Sequence, residues 1–248
     1  MAIQRVSLVC VTVVLAAVVF LSASQASAAV IPPANLPAGS QYQVIFLTHD
    51  TMPATSSSIS DYNNFVTAEA SMSSILPTNT TWKAIASTAD IDANQNVSTS
   101  LGIPIYTPSG VLIASSGAAL WQTASTPLLS RITEDQYGNM WVMDAWTGSN
   151  GDGTKADGKE LGQWTSTQTN NRENGPEIGC GAFPNSWWLD VGQYSNNQGS
   201  QAQTLSLYAL SAALTVPATV PEPSVLVLLA IGAAGLLVGF GRRRLAKG

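Results

Sequence analysis

The chain is poor in the residues that most often carry out chemistry. Its 248 residues include two cysteines, Cys10 and Cys180, and a single histidine, His49. Cys10 lies within an amino-terminal apolar stretch that reads as a removable export signal, which leaves Cys180 alone. The exported form can then make no intramolecular disulfide, although its destination is oxidising. A single histidine excludes the usual two- or three-histidine zinc site. The sequence contains no Gly-x-Ser-x-Gly elbow, no phosphate loop and no dinucleotide fingerprint. Basic residues are also scarce. Between residues 29 and 216 only Lys83, Arg131, Lys155, Lys159 and Arg172 face fourteen acidic residues, a net charge near −9. A surface so acidic repels nucleic acid and anionic lipid.

What the chain does have is concentrated at its ends. Arg5 precedes the apolar stretch Val6 to Leu21, and Ala26-Ser27-Ala28 follows as a small-x-small cleavage signal. That order of charge, apolar run and small residues is read by export machinery and signal peptidase, so residues 1–28 are expected to be a cleaved signal peptide. Cys10 lies inside the run rather than just after it, which argues against lipidation. At the other end, residues 217–223 form a linker whose three prolines, Pro217, Pro221 and Pro223, favour an extended chain. Residues 224–241 are almost wholly apolar and span about 27 Å as a helix, close to a bilayer core. Arg242, Arg243 and Arg244 follow at once. The positive-inside rule places the basic tail 242–248 in the cytoplasm and the preceding domain outside.

Pro221-Glu222-Pro223, an apolar helix rich in Leu, Ala and Gly, and a closing arginine cluster resemble the PEP-CTERM sorting signal in content and order. The resemblance implies that an exosortase-type membrane enzyme recognises Pro221-Glu222-Pro223 and processes the tail. It also implies anchoring in the inner membrane first, and later residence at the cell surface or in an extracellular matrix of exopolysaccharide and biofilm.

Residues 29–216 are long enough to form one domain with a substantial core. Tyr42 to Thr48 reads as an opening strand, and Ser60-Asp61 as the start of a helix with Tyr62, Phe65, Val66 and Met72 on its apolar face. Short strands are predicted at Thr81 to Ser87, around the turn Pro108-Ser109-Gly110, at Trp141 to Thr147, Leu161 to Thr165, Trp187 to Val191 and Leu205 to Leu210. There is no repeat and no alternation of strand and helix. The class is α+β, with few helices, several short antiparallel strands and long loops. The opening YQVIFLT strand, the Trp146-Thr147-Gly148 strand end, the loop SNGDGTKADG, Gln163-Trp164-Thr165-Ser166 and the closing LSLYAL strand together resemble C-type-lectin-like or endostatin-like secreted domains. That resemblance implies a final strand pairing back with the first, and a non-enzymatic module binding carbohydrate or protein.

Three constellations are candidates for chemistry. Asp144, Asn150, Asp152 and Asp157 gather around a glycine-rich stretch, as calcium requires, although Gly148 and Lys159 would occupy the first and last positions of an EF-hand loop. The alternative there is a solvated turn. Asp90 to Asn96 alternates oxygen side chains in the same way. Trp164, Trp187 and Trp188 lie among polar residues where indoles could stack on the sugars of an extracellular polysaccharide, the alternative being core filling. An adjacent Trp187-Trp188 pair on a strand would point to opposite faces, so at least one should be packed. Paired carboxylates of a polysaccharide hydrolase would have to come from Glu134, Asp135, Glu160, Glu173 or Glu177.

Overall fold

The computed structural model describes residues 33, 36–99, 102–121, 125–163, 175–193 and 203–217. The predicted signal peptide, membrane span 224–241 and basic tail lie outside them, as do Trp164 and Glu173. Two compact units divide the chain: Met1–Asn35 with Gln41–Leu214, and Leu36–Ser40 with Thr215–Gly248. In the second, Gly39 N donates to Val216 O and Val216 N to Ser40 O, both at 2.9 Å.

Along the first unit come β1 (Gln41–Leu47), β2 (Met52–Pro53), α1 (Ile59–Ser71), β3 (Trp82–Ala84), α2 (Ala93–Asn96), β4 (Ile105–Tyr106), β5 (Leu112–Ala114), α3 (Gly117–Leu120), β6 (Asp144–Trp146) and β7 (Glu177–Cys180). A 3-10 turn at Ser186–Trp188, β8 (Gly192–Gln193), β9 (Thr204–Leu205) and β10 (Tyr208–Ser211) complete it. Every residue of β1 after Gln41 is buried. Such burial without alternation means that both faces of the strand are covered. One face sends Ile45 and Leu47 into a core with Ile85, Ile113, Trp188 and Tyr208. On the other, Phe46 meets Trp82 edge-on at 5.1 Å.

The main sheet runs β3–β10–β1–β4–β5. The closing strand pairs back with the opening one: β10 is antiparallel to β1, with Ile45 opposite Leu210. On its other edge β1 is parallel to β4, so the sheet is mixed rather than purely antiparallel. Helix α1 packs on β3 and buries Tyr62, Val66, Glu69 and Ala70, one face at helical spacing. Met72, predicted on that face, caps the helix and is exposed.

A second sheet, β6–β7–β8, is antiparallel throughout. It joins the chain near β10 through Trp146 N, which donates to Ser206 O at 3.0 Å. Two glycines let these layers close. A Cβ on Gly179 would lie 1.9 Å from Trp188 O, so only hydrogen fits there. Gly148, at φ +58°, has Ser87 O 2.6 Å from where its Cβ would stand.

Three predicted strands are corrected. Trp187 to Val191 begins as a 3-10 turn, because Asn185 and Ser186 carbonyls capture the following N–H groups locally. Residues 141–143 precede β6 rather than belonging to it. Leu161 makes a single bridge, to Thr88, in place of a strand. The α+β class stands. Among the described residues no helix is long and apolar enough to cross a membrane.

Candidate functional site

The Ser186–Trp188 turn separates two adjacent tryptophans. Asn185 caps it, its side-chain oxygen accepting from Trp187 N at 3.3 Å. Pro184 O, one residue earlier, accepts from Leu128 N at 2.7 Å and ties the turn to the core. Trp188 points inward and is fully buried, its ring 5.4 Å from Tyr208 and 6.2 Å from Trp121. It cannot stack on a ligand, which removes it from the proposed carbohydrate face. Trp187 points outward, 49% exposed, with the half-exposed Phe183 edge-on at 5.1 Å. A rigid turn thus presents an aromatic pair to solvent.

The glycine-rich loop is organised by hydrogen bonds of its own. Asp152 Oδ1 accepts from Thr154 N at 2.9 Å and from its hydroxyl at 2.6 Å, and these bonds hold the Asp152 carboxyl below its ordinary pKa. Asn150 Nδ2 donates to Lys155 O at 2.9 Å. The second polar stretch docks onto this loop: Asp92 Oδ1 accepts from Lys155 N, and Asn94 N donates to Gly153 O. Asp144 stands apart on β6, opposite Cys180, and Asp157 is exposed. Among the described residues no three His, Cys, Asp or Glu side chains come together to hold a metal, so the predicted calcium ligands are not gathered.

A third place escaped the sequence reading. His49 follows β1 directly, and its Nδ1 lies 3.1 Å from Oδ2 of Asp135, which is fully buried. A carboxylate can only accept, so Nδ1 donates to Asp135, and in the tautomer with a single ring hydrogen Nε2 is left as the acceptor. The other oxygen of Asp135 accepts from Tyr137 N and Asn139 N, both at 2.9 Å. The imidazole stacks on Trp141 with centroids 4.2 Å apart, and Tyr137 stands edge-on to it at 6.1 Å. Its backbone is fixed as well. Gln136 Oε1 accepts from His49 N, and Glu69 Oε2 accepts from Gln136 Nε2 and Asp50 N. Burial raises the Glu69 pKa. The only local signals for this corner are a His-Asp pair at a strand end and a turn sequence, Asp135 to Asn139.

Among the described residues, the remaining candidate carboxylates are buried or held by neighbouring donors. Glu134 accepts from Ser109 N and Oγ at the predicted Pro108–Gly110 turn. Glu177 is buried, and its Oε2 lies 3.3 Å from Lys159 Nζ. Loss of solvent and the neighbouring Asp190 carboxyl push its pKa up to about 7. A small cavity of about 40 Å³, formed by Thr81, Lys83, Val97, Ser98, Leu210, Ser211 and Ala212, has no carboxylate in its wall.

The folded unit is thus an α+β domain in which Tyr137, Phe183 and Trp187 are exposed among the described residues, and its destination is encoded elsewhere in the chain. Residues 219–244 match the PEP-CTERM protein-sorting motif. The motif marks an exported protein, held transiently at the membrane and processed by an exosortase. Pro221, Glu222, Pro223 and Arg242 to Arg244 fall within the match and outside the described residues. No curated protein matches the chain.

Proposed function

We propose that the exported domain is a non-enzymatic binding module of C-type-lectin-like fold, displayed at the cell surface or in the extracellular matrix, with carbohydrate as its ligand. The observation that carries this reading is Trp187, half-exposed on a capped turn whose other tryptophan is locked in the core. Sugar rings stack on such an indole, and a rigid platform loses little entropy on binding. Pairing of β10 with β1, and the separate β6–β7–β8 sheet after a long loop, support the lectin-like fold. A polysaccharide hydrolase would instead need two carboxyl groups about 5–10 Å apart at a cleft. Burial of Glu177 and Glu160 favours binding over hydrolysis.

The test is a glycan array probed with the exported protein, with and without chelator, followed by calorimetry on the best ligand. Trp187→Ala should weaken binding at least about tenfold, the order expected when a stacked ring is lost. Equal affinity of the variant, or hydrolysis of a bound glycan, overturns the reading. Deleting residues 219–248 should release the domain into the medium. Retention at the same level would show that another tether holds it.

A further inference from the structure

The buried hydrogen bonds around His49 converge on one exposed imidazole. Asp135, Gln136 and Glu69 are all buried, and each holds part of the His49-Asp50 segment. Asp135 fixes Nδ1, so the acceptor left to the half-exposed ring is Nε2, directed away from the buried carboxylate. The stacked Trp141 fixes the ring plane from behind, and Tyr137, 40% exposed, forms a second wall. An oriented acceptor beside an exposed aromatic ring matches a ligand with hydroxyl donors around an apolar C–H face.

The geometry points to His49 and Tyr137 as a second subsite, taking a neutral sugar ring: a hydroxyl donates to His49 Nε2 while the ring's C–H face rests on Tyr137. Charge selects neutral over acidic glycans. Asp135 pairs with the imidazole and Glu69 lies close to it, and the domain carries about nine excess negative charges, so a uronate would meet repulsion. The inference rests on the binding reading above but uses different residues from the Trp187 turn.

His49 is the chain's only histidine, so its imidazole nitrogens give a single unambiguous set of NMR signals. The full exported protein would be titrated with neutral hexamers of β-1,4-linked glucose, mannose and galactose, and with an oligogalacturonate hexamer. The expected result is a saturable shift of the Nε2 signal with a neutral hexamer, retained in Trp187→Ala. His49→Asn keeps a donor toward Asp135 but leaves its acceptor, Oδ1, short of the Nε2 position, and should weaken that hexamer about tenfold, the worth of one hydrogen bond. An unmoved Nε2 signal, with tryptophan fluorescence responding in the wild type but not in Trp187→Ala, overturns this subsite alone. Silence at both places with every hexamer overturns this subsite and its parent reading together. A shift with the acidic hexamer alone overturns the neutral assignment.

Discussion

Asp135 and Glu177 are both carboxyl groups withdrawn from water, yet their surroundings treat them oppositely. Asp135 has donors on both oxygens: two backbone N–H groups on one and the imidazole on the other. Glu177 has Lys159 on one oxygen, while the other meets no donor among the described residues. A second carboxyl, Asp190, stands nearby instead. Burial is the same in both places; the supply of donors differs. Where donors are sufficient, the carboxylate becomes a fixed anchor, and where they are not, a proton takes the missing donor's place.

The sharpest way to break this contrast is Asp135→Ala. It strands the N–H groups of Tyr137 and Asn139 and releases His49. We expect a loss on the order of 3 kcal/mol in urea denaturation, one buried network being disrupted. A loss under about 1 kcal/mol would mean that water replaces the carboxylate freely.

Glu177, although paired with Lys159, should respond to pH in the opposite sense from an acid whose pKa falls on folding. Its folded pKa is raised above the ordinary 4.5, to about 7, so between those values the native state holds more proton than the unfolded chain. Stability therefore falls as pH climbs through that window and levels off above it. Glu177→Gln should remove much of the slope and gain on the order of 1–2 kcal/mol at pH 8. Glu69 contributes in the same direction, so the difference between wild type and variant isolates Glu177. Parallel pH–stability curves would refute the assignment.

His49→Asn should be milder, below about 1 kcal/mol, since the ring is half exposed and the amide still donates to Asp135. A larger cost would shift the importance of the corner from the backbone N–H groups to the imidazole. The smallest effect belongs to Cys180, which is free and partly exposed. Reducing agent should leave the melting temperature unchanged; a drop would reveal a disulfide between two copies of the chain.

The strands flanking the fold were legible because β-branched and aromatic residues run together. Tyr42 to Thr48 overlaps β1 and Leu205 to Leu210 overlaps β9 and β10, and β1 pairs with β10. Local patterns failed where short-range hydrogen bonds decide the backbone. Asn185 and Ser186 turn Trp187-Trp188 into a helix-like turn, which no count of alternation detects. The imidazole corner was illegible for another reason. His49 and Asp135 are 86 residues apart, and only the fold brings them together. The sorting motif was readable in full because its meaning lies in linear order: linker, apolar run, arginines.

The pairing of β1 with β10 also bears on export. The central strand β1 is made among the first residues of the domain, while its antiparallel neighbour β10 is made near the last. Such long-range pairing forms slowly and cannot begin until both partners are present. A chain threaded through a translocation pore from its amino terminus therefore cannot close its central sheet before Tyr208–Ser211 emerge. The sorting motif starts only a few residues later, at 219. The central sheet can therefore be completed only when nearly the whole domain has been made, a few residues before the sorting motif begins.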